Sequence, residues 1–266
     1  MTTNLATQAI RRSERAVDDQ TRTSDPTVHH HTIEVDGVEL FYRIAGSDDS
    51  PVVVLLHGFP TSSNMFRNLI PVLAQRYRVI APDYPGFGFS AMPDRGEFDY
   101  SFARYADLVD GLLSKLGATR YAMYVMDYGA PVGYRLALKH PQRVTAFVVQ
   151  NGNAYADGLR AFWDPVKRYW ASGSDRDREA LRPITALDST RWQYTDGVKD
   201  PTRIDPSTWT VDQALLDRPG NADIQLDLFY DYRTNVELYP TIQQYFRDYQ
   251  PPMLITWGIH DQIFPA

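Results

Sequence analysis

The stretch Tyr121 to His140, YAMYVMDYGAPVGYRLALKH, limits more than any other what this chain can become. Its apolar run from Tyr121 to Met126 is too short for a helix but long enough for a buried strand. Asp127-Tyr128-Gly129-Ala130 follows, and then Pro131 to His140, where Val132, Leu136 and Leu138 suit an amphipathic helix that ends before Pro141. Strand, sharp turn and helix in immediate succession need a backbone that passes close to its neighbours. The small residues Gly129, Ala130 and Gly133 permit that. The apex of the turn presents one reactive group, the Asp127 carboxylate. A carboxylate so placed can attack a saturated carbon and form an ester to the protein, which water then cleaves. The competing structural role is a cap on the helix that follows.

The rest of the chain repeats the pattern. Thr32 to Tyr42 alternates apolar and polar residues about Asp36-Gly37, the signature of a hairpin. Pro51 to Leu56 is a strand covered on both faces, and it feeds His57-Gly58-Phe59-Pro60 and a helix from about Ser63 to Gln75. Arg78 to Ala81 reads as the next strand, before the Gly-rich turn DYPGFGFS from Asp83 to Ser90. That turn is no phosphate loop, because it lacks the Lys-Ser/Thr ending and its Gly spacing fits neither nucleotide fingerprint. Tyr105 to Leu116 is helical, and Thr145 to Gln150 is a further strand that ends at Asn151-Gly152-Asn153. Alternating strands and helices imply a mostly parallel sheet with its reactive groups at the carboxyl ends of the strands. From Ala154 to Tyr249 no strand-like run occurs, and the segment reads as an inserted helical cap. Pro251 to Gly258 resumes the sheet and delivers His260 and Asp261. The expected organisation is a disordered tail over 1–30, an α/β core over 31–153, the cap over 154–249, and a core strand with an acid loop over 250–266.

Bulk properties exclude several classes of function. A net charge of −6 argues against nucleic acid and anionic membranes as partners. No apolar run approaches the roughly 20 residues of a membrane span. Zero Cys removes disulfides, thiolate nucleophiles and zinc–thiolate sites, and suits a reducing cytoplasm. The first 26 residues lack the apolar segment of a secretory signal, and Glu14, Asp18, Asp19 and Asp25 weigh against a transit peptide. His29-His30-His31 reads as a solvated run at the edge of the tail.

Four motifs in chain order, HGFP after a strand, DYPGFGFS, the VMDYGA elbow and WGIHD after a late strand, resemble the α/β-hydrolases. More narrowly they resemble the aspartate-nucleophile branch that holds epoxide hydrolases and haloalkane dehalogenases, over about residues 32 to 266. The resemblance implies an α/β-hydrolase fold and Asp127 as the nucleophile. It implies the backbone N–H groups of Phe59 and Tyr128 as an oxyanion hole, and Asp261 as the acid that orients a catalytic histidine. His57 takes a structural role, tethering neighbouring loops. Neither a metal nor an organic cofactor is implied, and the partners are a small apolar organic substrate and water. The segment FYDYRTN places a proton-donating cap tyrosine at Tyr232, with Tyr169 as its partner and Tyr155 or Tyr194 as alternatives.

Dehalogenases and epoxide hydrolases of this kind both commonly carry Trp after the nucleophile, and some dehalogenases carry Glu after the preceding strand; here those places hold Tyr128 and Asn151, so Tyr128 departs from both patterns. The Arg beside the nucleophile that a fluoroacetate-cleaving enzyme would want is absent too. An epoxide is the favoured electrophile on this reading and a haloalkane the alternative. Turnover also needs a histidine base, which in the family lies beyond one more strand. His29, His30, His31, His57, His140 and His260 are the six histidines, and none fits that place. The expectation is a chain cut short of that histidine, able at most to alkylate Asp127 and stall. A catalytically dead or small-ligand-binding relative is the reading of another class.

Overall fold

A computed structural model describes residues 26–266. The tail expected over 1–30 lies outside the described residues as far as residue 25, but its last two positions do not behave as a tail. Strand β1 (His29–Val35) already includes His29, His30 and His31, paired opposite Ile44, Arg43 and Tyr42 of β2 (Val38–Ala45). Asp36 and Gly37 turn the hairpin with φ of 49° and 78°, the left-handed pair that a tight two-residue hairpin needs.

Seven strands form one sheet in the order β1-β2-β4-β3-β5-β6-β7. The remaining strands are β3 (Val52–Leu56), β4 (Arg78–Pro82), β5 (Tyr121–Met126), β6 (Val144–Gln150) and β7 (Met253–Thr256). β1 with β2 and β2 with β4 are antiparallel, and every other pairing is parallel. The central strands β3 and β5 carry the apolar runs, because a parallel strand covered by helices on both faces exposes neither side to water. β7 ends the sheet, and Leu254 and Ile255 keep 59% and 62% of their surface exposed.

Helices α1 (Leu69–Leu73), α2 (Phe102–Lys115) and α3 (Gly129–Lys139) alternate with the strands. The helix expected over residues 63–75 is broken into a 3₁₀ turn, Ser63–Phe66, and α1. Pro71 has no N–H to give and is best accommodated in the first turn of a helix, which matches an α-helix that restarts at Leu69. Between β6 and β7 the chain is helical: α4 (Asp164–Ser172), α5 (Asp175–Glu179), α6 (Leu187–Thr195), α7 (Ser207–Leu216), α8 (Asn221–Asp231) and α9 (Arg233–Tyr249). This insertion is fastened to the rest by named bonds. Arg135 of α3 donates to Asn235 Oδ1 at 2.5 Å and to Thr234 Oγ1 at 3.0 Å. Asp231 accepts from the Phe102 N–H at 2.8 Å, and Arg95 grips Asp227 at 2.6 and 2.8 Å. One apolar core runs through both parts, from Val54, Leu56 and Val125 to Trp163, Leu228 and Tyr232.

The sheet register brings distant loops together. Leu56 pairs with Val125, Met126 with Gln150, and Gln150 with Thr256. The residues that follow these strand ends, Phe59, Asp127, Asn151 and the 258–264 loop, therefore emerge side by side at one edge.

Candidate active site

Asp127 stands at the bend between β5 and α3 with φ of 49°, a left-handed conformation that costs a residue with a Cβ about 1 kcal/mol or more. Asn151, the corresponding residue after β6, has φ of 47°. Asp and Asn tolerate this region best, because short polar side chains can bond locally. Two glycines let the bend form. A Cβ on Gly129 would lie 2.1 Å from the Leu56 carbonyl oxygen, and one on Gly58 would lie 2.4 Å from Asp127 Oδ1. The apex of the turn is thus pressed against the end of β3 by the size of its neighbours.

The Asp127 side chain does not act as a helix cap. Tyr128 holds the cap position of α3 and makes no side-chain cap bond. Asp127 Oδ1 instead accepts from the Phe59 N–H across the sheet at 2.6 Å. Burial pushes the Asp127 carboxyl up to about 7, against the opposing pull of the Phe59 and Tyr128 N–H groups; the charge of Asp261 adds to the rise. The two N–H groups expected as an oxyanion hole thus already stabilise negative charge on this carboxylate.

In front of Asp127 lies a cavity of about 450 Å³, within the range of small-molecule sites. Phe59, Met65, Met126, Trp192, Val198 and Phe264 give it an apolar wall. Asp127, Asp196 and Asp261 bring carboxylates to it, and among the described residues no Lys or Arg borders it.

Asp261 borders the same cavity and is anchored through both oxygens. Oδ1 accepts from the N–H groups of Ile263 and Phe264 at 2.8 and 2.9 Å, and Oδ2 accepts from the side-chain amide of Asn151. Asn151 Oδ1 in turn accepts from the Gly258 N–H at 3.2 Å, so this one residue fixes the loop that carries the acid. His57 is fully buried. Its Nδ1 bonds to the Gly58 carbonyl at 3.0 Å and its Nε2 accepts from the Tyr84 N–H at 3.3 Å, which joins the loops after β3 and β4 and fixes a neutral tautomer. Burial first of all keeps its pKa low. His140 pairs with Asp110 at 3.0 Å, away from the cavity. His260 borders the cavity and is exposed.

The tyrosines fall out differently from expectation. Tyr232 is buried, close enough to Asp127 for that carboxylate's charge to act on it, with its ring 4.4 Å from Trp163 and its hydroxyl 3.3 Å from that of Tyr239. Tyr169 packs its ring 4.8 Å from Tyr230 in the α4–α8 contact and is not among the residues that line the cavity. Tyr155 is 57% exposed. Tyr194, the remaining alternative, is in the cavity wall, and its hydroxyl donates to Asp212 of α7. Sequence reasoning missed Trp192 as a wall residue and Asn151 as the anchor of Asp261. The position of Asn151 at the end of β6 was its one available signal.

A family model for the alpha/beta hydrolase fold matches residues 51–266. The chain belongs to that family. A hydrolase of Saccharomyces cerevisiae, YNR064C, whose activity is uncharacterised, is 48% identical over 239 residues, 88% of this chain and 82% of the yeast protein. A haloalkane dehalogenase of Mycolicibacterium paratuberculosis is 40% identical over 116 residues, 43% of this chain and 38% of the dehalogenase. A solved structure from Pseudomonas aeruginosa, provisionally assigned as an epoxide hydrolase, superposes with a TM-score of 0.72 at 25% identity, over 87% of this chain and 79% of that one. This α/β-hydrolase is thus related to both the haloalkane dehalogenases and the epoxide hydrolases.

Proposed function

We propose that this α/β-hydrolase opens a small, uncharged, largely apolar epoxide by attack of Asp127. The observation that carries the reading is a half-buried carboxylate at a strained bend, facing an apolar cavity of about 450 Å³. One Asp127 oxygen bonds to an epoxide carbon, the ring C–O bond breaks, and the released oxygen takes a proton. An ester and a hydroxyl result, with nothing lost. Tyr194 is assigned as the proton donor, because it borders the cavity while Tyr232 and Tyr169 do not. The carboxylates in the wall and the lack of Lys or Arg there disfavour anionic substrates.

Hydrolysis of the ester needs a base to activate water, and on this reading Asp261 orients one. Of the histidines in the described residues His260 borders the cavity, yet it bonds to neither carboxylate.

A second reading keeps the nucleophile and replaces the epoxide by a haloalkane. Trp192 favours it, because it lines the cavity and its indole ring carries an N–H, a donor suited to a leaving halide. Intact-mass measurement separates the two. Styrene oxide adds its whole mass, whereas an alkyl bromide adds only the alkyl group and releases bromide. Labelling by the epoxide supports the proposal. Labelling by the bromide alone supports the second reading, and labelling by neither rejects the aspartyl-ester mechanism.

A further inference from the structure

Asp212 is a buried carboxyl that the chemistry above does not use. It sits on α7, inside the helical insertion, with 2% of its surface exposed. A buried carboxylate ordinarily pairs with a cation, because desolvation otherwise makes it costly. Asp212 takes part in no ion pair among the described residues. Its hydrogen-bond partners are hydroxyls, those of Tyr194 and Thr61, while Arg67 acts on it through longer-range attraction only. Tyr194 is the one tyrosine in the wall of the cavity that Asp127 faces. A carboxyl group shut away from water and joined to that tyrosine is in the position of a proton store.

We propose that Asp212 is a positioning and proton-supplying residue for Tyr194, so that the pair forms a two-step relay ending on the epoxide oxygen. The inference rests on Asp127 as the nucleophile. With Asp212 ionised, Tyr194 donates to it; in the loaded state, after Asp212 has taken up a proton, the carboxylic acid donates to Tyr194 Oη, which turns the phenol proton toward the cavity. As Asp127 bonds to carbon and the ring C–O bond breaks, the phenol proton passes to the released oxygen. The Asp212 proton then passes to Tyr194, and Asp212 is left as a carboxylate that solvent reprotonates. Desolvation supports the loaded state by pushing Asp212 up to about 6, so that the acid form predominates below that pH and a minor fraction of it remains at neutral pH. The opposite arrangement, a carboxylate accepting the phenol proton, holds that proton on Tyr194 and blocks donation. Relay therefore needs the Asp212 proton as well as the bond.

An epoxide oxygen needs a proton on leaving and a bromide does not, which supplies a readout that a purely structural role would leave unmoved. The rate of Asp127 labelling is measured by mass spectrometry with styrene oxide and with 2-phenylethyl bromide, for wild type, Asp212→Asn and Tyr194→Phe. Asn at 212 retains hydrogen bonding to Tyr194 but has no acid proton to pass on. Each variant should lower the epoxide rate about 100-fold, the usual scale of general-acid assistance, and leave the bromide rate within about twofold of wild type. The double variant should be no slower than either single one, because both act on one proton path. Equal losses on both electrophiles overturn the relay in favour of packing, as does an unchanged epoxide rate in Asp212→Asn. If wild type is labelled by the bromide but not by the epoxide, the relay fails while Asp127 stands. If neither electrophile labels wild type, the nucleophile and the relay fail together.

Discussion

Replacing Asp127 by Asn should make the protein more stable, and increasingly so as the pH rises. The carboxyl is lifted from 3.8 to about 7 in the folded chain, with burial as the leading cause. The native state therefore holds this proton up to about pH 7, whereas the unfolded chain releases it near 3.8. Between those values the native state binds more protons, so wild-type stability falls as pH rises, and the loss levels off above about 7. A span of about three pH units at roughly 1.4 kcal/mol each sets the loss at about 4 kcal/mol. Two effects reduce what the variant recovers. Water in the cavity screens the half-buried charge, and Asn weakens the 2.6 Å bond from the Phe59 N–H. A net gain of about 2–3 kcal/mol at pH 8, with almost none at pH 4, is the expected outcome. Urea unfolding of wild type and variant at both pH values measures it, and other titrating groups cancel in the difference. A variant no more stable relative to wild type at pH 8 than at pH 4 would refute the claim that Asp127 is held in an environment hostile to its charge.

Asp127 must be ionised to attack, so the labelling rate with a bromide should rise about tenfold per pH unit below 7 and flatten above it; a rate that is flat from pH 5 to 8 contradicts this. Gly58→Ala should abolish labelling, since its Cβ would sit 2.4 Å from Asp127 Oδ1; wild-type labelling by that variant would show that the loop is free to move. Arg135→Ala should cost about 2 kcal/mol in denaturant titration by leaving the buried Asn235 and the half-buried Thr234 side chains short of a donor. Trp163→Ala, which empties a fully buried site against Tyr232 and Phe264, should cost about 3–5 kcal/mol in the same assay.

The parts of this molecule that were legible in its sequence are those fixed by local geometry. A strand, a bend and a helix around Asp127 need small residues at set offsets, and the close approaches at Gly58 and Gly129 show why. The apolar runs of the central strands β3 and β5 likewise follow from being covered on both faces. What depended on long-range pairing was hidden. His29 to His31 look like a polar tail until β2 is present to pair with them. The tyrosines were hidden for a related reason. In a helical insertion without fixed spacing to the sheet, only the way the helices pack decides that Tyr194 meets the cavity while Tyr169 meets Tyr230. Asn151 was visible as a departure from the family pattern, but its bonds to Asp261 and Gly258 exist only once β6 and β7 lie side by side.

The most direct measurement is peptide mapping of the protein after incubation with styrene oxide, beside Asp127→Asn treated identically. The account predicts one added epoxide on the peptide that contains Asp127, with the ester on that side chain and none in the variant. An adduct on Asp261, on Asp196 or on scattered surface carboxylates, or equal labelling of the variant, would contradict it.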